Sequence, residues 1–378
     1  MRPLKRIVIV GPVYPYKGGI SHYTGLLCKN LREKFETEMV SFSMQYPKIL
    51  FRKEQKDFAN NSFEVQETEY FLHTANPFNW GASAKKILAK EPDLVIFQWW
   101  HPYFAPCYRG LLRHLKGIKT LFICHNVFPH EHFVMERLLS KSVLKKGNYF
   151  ITHSKADAED LNSILREAKV RVAVHPTYNA FQFENITRKK ARERIGLGEE
   201  KKVLLFFGFV RGYKGLKHLI SALPKVVEKL PGTHLLIVGD FGQDKQRYLE
   251  LIAEKRVERY LSIYDGYTPD REVEQYFAAC DLVVLPYESA TQSGIVQIAY
   301  GFGRPVVATN VGGLPDVVLD DETGFLVPPR NPEQLAQAIV RFFKEDRAEE
   351  FAKRIEKEAY RYSWDRMRET IETLWEQE

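Results

Sequence analysis

Cysteine is scarce and scattered in this chain. Among 378 residues the four cysteines are Cys28, Cys107, Cys124 and Cys280, and no two sit at the spacing of a zinc knuckle or a short disulfide loop. That excludes a disulfide-stapled scaffold and a thiolate-built metal site. Long apolar runs are missing too. The longest, around Leu94 to Phe97 and Val203 to Val210, fall far short of the ~20 residues a membrane-spanning helix needs. The early RIVIV stretch is too short for the core of a secretory signal. No dense run of Lys and Arg with interleaved aromatics marks a nucleic-acid surface, and no G-x-G-x-x-G fingerprint follows the first strand, which weakens a hydride-transfer reading. A cytosolic protein that binds no nucleic acid is the expectation these absences leave.

What is present fits a folded globular chain: 44% hydrophobic and 27% charged residues, in a length that accommodates two domains of ordinary size. The net charge of +7 is unevenly placed. Residues 1–185 hold 26 Lys/Arg against 17 Asp/Glu, a balance of +9, and the remainder holds 29 against 31. A basic first half suits an anionic partner, such as a membrane surface or a phosphorylated acceptor, as well as plain solubility.

Short apolar runs alternate with amphipathic stretches along both halves. Arg6 to Val10, Glu38 to Phe42, Leu94 to Gln98, Thr120 to Cys124 and Tyr149 to Thr152 read as strands, with Glu64 to Thr68 as a further candidate. Periodicity stops around Pro176 to Asn185 and restarts with strands at Lys202 to Phe207, Thr233 to Val238, Leu261 to Ile263, Leu282 to Leu285 and Val306 to Ala308. The pattern predicts an α/β protein of two tandem doubly wound domains, with ligand held between them at the strands' C-terminal ends. The expected division is 1–180, 181–355, and a helix over 356–378 returning to the first domain.

Four stretches carry candidate chemistry. In DLVVLPYESATQSGIVQIAYGFGRPVVATNVGGLPDVV, residues 281–318, a buried strand opens through a polar loop into a helix beginning at Ser293-Gly294. Exposed helix N–H groups beside a carboxylate suit a phosphorylated, hydroxyl-rich ligand, although an ordinary βαβ crossover shows the same elements. In FFGFVRGYKG, Arg211 and Lys214 lie just past a strand, where two cations neutralise a diphosphate or merely solvate a turn. Gly18-Gly19 before the first helix lets a ligand approach the backbone. His125 and His101 each follow a buried strand; the first is placed to share a proton or simply to serve the fold, the second to line an acceptor pocket alongside Gln98 and its tryptophans, aromatics that equally suit the core.

Together these residues resemble glycosyltransferase family 4, retaining enzymes of the GT-B fold, over nearly the whole chain. The resemblance rests on Gly18-Gly19-Ile20, His125, Arg211 with Lys214-Gly215, the SGIVQIAYGFGRPVVATNVGGLPDVV run, and ETGFLV. It implies two Rossmann-like domains with an interdomain cleft and transfer of a sugar from a nucleotide-sugar donor, UDP ahead of GDP, to a glycan or lipid-linked acceptor, at the inner face of a membrane if peripheral. No metal and no cofactor are expected. By the same resemblance Arg211 and Lys214 hold the diphosphate, and His125 faces the reacting centre. Ser293, Gly294, Ile295 and Val296 meet the phosphate or sugar, Gly18 and Gly19 lie beside them, and Tyr267 contacts the base. The family's glutamate pair falls here at Ala290 and Ile298, so Glu288 is expected to take the sugar contact and Gln297 the ribose contact. A nucleotide-sugar epimerase of the same fold and a non-catalytic binding protein are the rival readings.

Overall fold

The computed structural model describes residues 3–51, 54–59, 61–129 and 134–377. The chain divides into two compact units, residues 1–174 with 364–378 and residues 175–363.

In the first unit seven strands form one wholly parallel sheet: β1 Arg6–Val10, β2 Glu36–Met44, β3 Glu69–His73, β4 Leu94–Trp99, β5 Lys119–Cys124, β6 Tyr149–Thr152 and β7 Val170–Val172, in the order β3-β2-β1-β4-β5-β6-β7. Its helices are α1 Gly19–Leu31, α2 Pro77–Leu88, α3 Ala105–His114, α4 Glu136–Leu144 and α5 Lys155–Ile164. β4 is buried along its whole length, as a strand covered on both faces must be.

The second unit repeats the plan with six parallel strands: β8 Lys202–Phe207, β9 Thr233–Gly239, β10 Leu261–Asp265, β11 Leu282–Leu285, β12 Val306–Thr309 and β13 Gly324–Val327, in the order β10-β9-β8-β11-β12-β13. Between and after them run α6 Arg188–Arg194, α7 Leu216–Lys229, α8 Lys245–Lys255, α9 Asp270–Ala279, α10 Gly294–Gly301, α11 Pro332–Lys344 and α12 Ala348–Lys357; α13 Trp364–Glu376 then joins the first unit. Strand order reverses direction beside β1 and beside β8. Those are the points where a doubly wound sheet opens a crevice for ligands.

Two buried polar ties fix the start of the second unit. The Glu274 carboxylate, on α9, accepts the backbone N–H groups of Phe183, Glu184 and Ile186 at 2.8 to 2.9 Å. Arg192, fully buried on α6, donates to the carbonyls of Ala279 and Lys201 and pairs with Asp281 at 2.8 Å. A buried guanidinium is tolerated because nearly every N–H has an acceptor.

Several boundaries differ from expectation. The units divide after Val174 rather than residue 180, because the Ala173 N–H still bonds the Thr152 carbonyl, whereas that of Thr177 bonds Tyr362. The returning segment begins at Trp364 rather than 356, since Phe351 and Ile355 of α12 are buried in the second unit. Glu64 to Thr68 is not a strand; β3 follows it at Glu69. Gly324 to Val327, absent from the strands expected above, is the strand β13, where a β-carbon on Gly324 would strike the Val306 carbonyl at 1.9 Å.

Candidate functional site

Beyond β8 the chain turns through Gly208, in a left-handed conformation at φ 100°, before Arg211 and a short turn of 3-10 helix ending at Lys214. The absence of a side chain on Gly208 is what admits the lysine: a β-carbon there would stand 3.0 Å from Lys214 Nζ and 3.5 Å from Ile295 Cδ1. The ammonium lies 5.7 Å from the centre of the Tyr287 ring. No carboxylate among the described residues pairs with it. Burial, with Arg211 nearby, lowers its pKa to about 8, because a desolvated cation without a counter-charge gives up its proton more readily. Arg211 itself is exposed, its guanidinium 5.6 Å from the Phe209 ring centre.

The helix α10 supplies the opposite wall. Ser293 occupies its N-cap position without bonding the first turn, and its Oγ lies 3.4 Å from the Tyr287 hydroxyl. The first-turn N–H groups of Gly294 and Ile295 therefore have no side-chain cap, the arrangement that lets a helix start receive an anion. Gly208, Lys214, Tyr287, Ser293 and Ile295 thus gather at the ends of β8 and β11, and Val296 continues the same turn. Gln297, one residue on, is 1% exposed, and neither polar atom of its amide has a hydrogen-bond partner among the described residues. A buried amide left in that state costs about 1–3 kcal/mol.

Glu288 points elsewhere. Its Oε1 takes Lys217 at 2.7 Å and His218 at 2.9 Å, and its Oε2 takes Arg330 at 2.9 Å. Lys217 first, with His218 and Arg330, holds its pKa down at about 2. The sequence reading gave this carboxylate to sugar hydroxyls; here its oxygens meet the Lys217 ammonium and His218 imidazole of α7 and the Arg330 guanidinium of the loop before α11. Lys217 and His218 also line a cavity of about 460 Å³ with Arg247 and Tyr248. None of the residues expected to bind a donor lines it. Tyr267 follows β10 and Gly266 and is 37% exposed, within reach of solvent.

In the first unit, Gly18 and Gly19 open α1 with free space where their β-carbons would stand. His101 serves the local backbone. Its Nδ1 accepts the Tyr103 N–H at 3.1 Å, and burial lowers its pKa. The neighbouring tryptophans are structural, Trp99 fully buried and Trp100 packed 4.1 Å from the Phe104 ring centre. His125 follows β5 and is 1% exposed. Its Nε2 lies 2.7 Å from Gln98 Oε1, and its ring packs between Tyr23 at 4.7 Å and His153 at 5.2 Å. Sequence reasoning did not single out Gly208, Tyr287, Tyr23 or His153. Gly208, Tyr287 and His153 each carried a signal by standing just past a strand, whereas Tyr23, within α1, carried none.

Comparison with known proteins gives two family models in tandem: Glycosyltransferase Family 4 over residues 17–177 and Glycosyl transferases group 1 over residues 187–362. An uncharacterized glycosyltransferase of Methanocaldococcus jannaschii is 31% identical over 58% of this chain and 58% of its own length. The D-inositol 3-phosphate glycosyltransferase of Mycobacteroides abscessus is 31% identical over 53% of this chain and 45% of its own. The chain thus spans about half the length of the curated relatives it matches. Among solved structures, Anabaena HepE in complex with UDP superposes with a TM-score of 0.74 at 19% identity, covering 99% of this chain and all of that one.

Proposed function

The chain belongs to glycosyltransferase family 4, and from that premise we propose that it transfers a sugar from a nucleotide-sugar donor to a glycan or lipid-linked acceptor with retention at the anomeric carbon. The observation that carries the reading is the half-buried Lys214, its ammonium set beside Gly208 with no carboxylate partner among the described residues and with Arg211 close by. A desolvated cation is costly until an anion meets it, and a nucleoside diphosphate supplies that charge. In the reaction the bond from the anomeric carbon to the diphosphate oxygen breaks, the acceptor oxygen bonds to that carbon, and the acceptor's proton leaves with the diphosphate. Negative charge develops on the departing group, so fixed cations there stabilise the transition state more than the ground state. Arg211 and Lys214 supply this charge in our reading without a metal ion. The Gly294 and Ile295 N–H groups take the phosphate or sugar oxygens, and Gln297 the ribose.

The Anabaena structure that shares this fold was solved with UDP, which favours a UDP-sugar. The basic first half, together with exposed Met135 and Leu138 beside Arg137, Lys141 and Lys145 on and around α4, supports a site of work at an anionic membrane surface. No helix among the described residues is long and apolar enough to cross a membrane. The deciding experiment is turnover of UDP- and GDP-sugars with and without an acceptor extract. Acceptor-dependent release of nucleoside diphosphate supports transfer. Conversion of the sugar without acceptor would indicate epimerisation, and binding without turnover a non-catalytic protein.

A further inference from the structure

We propose that Gln98 is the positioning residue of His125, fixing the imidazole in one tautomer and one rotation at the end of the first unit's sheet. Strand register brings the two together. Gln98 pairs with Ile123 across β4 and β5, and the His125 N–H donates to the Trp99 carbonyl at 2.8 Å. Side chains alternate along a strand, so Gln98 and His125 emerge on the same face of the sheet.

The neighbouring strand leaves room for this contact. β1 runs beside β4 with Val10 opposite Phe97, which puts Gly11 next to Gln98. A β-carbon on Gly11 would stand 2.5 Å from Gln98 Cγ. The glutamine side chain occupies that space and reaches the imidazole at 2.7 Å. An amide oxygen only accepts, so Nε2 carries the hydrogen and Nδ1 presents its lone pair. The ring is held laterally by Tyr23 and by His153, whose own Nδ1 donates to the Ala173 carbonyl at 2.8 Å. Burial lowers the His153 pKa to about 4, so that ring stays uncharged at neutral pH.

Stability does not account for the choice of glutamine. Gln98 is fully buried, and its amide nitrogen has no hydrogen-bond partner among the described residues. An orphaned buried donor is a cost to the fold, and a leucine of similar size would only exchange it for an orphaned Nε2–H on His125, leaving the balance near even. The residue is explained by the one bond it makes.

The inference rests on the transferase reading for its kinetic consequence only. With the full chain carrying ¹⁵N-labelled histidine, two-bond ¹H–¹⁵N spectra report the tautomer of His125, assigned by its loss in His125→Asn. The wild type should show a single Nε2–H form. Gln98→Leu should keep its melting temperature and show a mixture of tautomers, whereas Gln98→Glu, which still offers an acceptor, should restore the single form. In transfer assays Gln98→Leu should lower kcat by roughly 10- to 100-fold with little change in donor KM, the scale of a misplaced group, and Gln98→Glu should recover part of it. A wild-type Nδ1–H tautomer, or an unchanged single form in Gln98→Leu, overturns the proposal. A chain that transfers no sugar defeats the functional reading instead, and the spectra still decide the role of Gln98.

Discussion

Lys214 Nζ stands 3.0 Å from the point that a β-carbon on Gly208 would occupy. The two residues share one pocket: the glycine is small because the ammonium needs the space, and the ammonium is desolvated because the glycine lets it in.

Replacing either partner should therefore damage the same function. Lys214→Ala should slow transfer about 100-fold, the range for a lost electrostatic stabiliser, and Arg211→Ala should act in the same direction. Gly208→Ala places a methyl group against the ammonium at a φ of 100°, a conformation few side chains adopt, and should weaken nucleoside diphosphate binding about tenfold. Initial rates of transfer check the two cation variants, and calorimetric titration with UDP and GDP checks binding in all three. Unaltered affinity in both cation variants would remove the diphosphate assignment.

The lowered pKa of Lys214 gives binding a pH dependence. Its folded-state value of about 8 lies below that of an unfolded lysine. The desolvated charge therefore penalises the fold in full below about pH 8, and the penalty fades as pH rises from there toward the ordinary lysine value. Diphosphate affinity should run the opposite way, holding near neutrality and falling above pH 8 as the ammonium loses its proton. Lys214→Met should bind weakly at every pH and melt higher than wild type at pH 7. A wild-type affinity that is flat from pH 7 to 9.5 would contradict this.

Glu288 should register first as a stability residue. Its carboxylate is depressed to about 2 by Lys217, His218 and Arg330, so its contribution is present above the ordinary carboxylate pKa and is lost as pH falls from about 4.5 toward 2. Glu288→Gln should melt lower than wild type at pH 6 and converge with it near pH 2. Nucleotide binding at pH 7 should stay within about threefold. Melting curves across pH, paired with one titration, separate this from a direct sugar contact, which would cost turnover without the convergence.

Electrostatic attachment to a membrane has its own signature. Vesicles rich in anionic lipid should sediment the protein at low salt and release it as ionic strength rises and shortens the screening length. Leu138→Asp with Lys141→Glu should abolish sedimentation and leave UDP binding unchanged. Wild type that stays in the supernatant at low salt would point to a soluble acceptor.

The sequence made the two parallel sheets legible because their strands are short apolar runs between amphipathic helices, a pattern that little else produces. β3 escaped because it is an edge strand with only Leu72 buried, so neither alternation nor continuous hydrophobicity marks it. The cations Arg211 and Lys214 stood out by their place just past a strand, and the structure brings Lys214 together with Ser293 and Ile295. The partners of Glu288 could not be read locally: His218 and Arg330 lie 70 and 42 residues away, and only folding brings them to one carboxylate. Gln98 looked like part of an aromatic pocket lining because its bond to His125 spans two strands, where spacing along the chain carries no information.

The return of α13 to the first unit also sets an order of assembly. Met367, Ile371 and Leu374 are buried in the same core cluster as Tyr23 and Leu27 of α1, while residues 175–363 form a unit by themselves. As the chain is synthesised, the second unit can close before its predecessor, which keeps an uncovered apolar face on α1 until residues 364–376 emerge. A nascent chain stalled after residue 363 should carry a finished second unit and an unfinished first one, the reverse of their order in the gene.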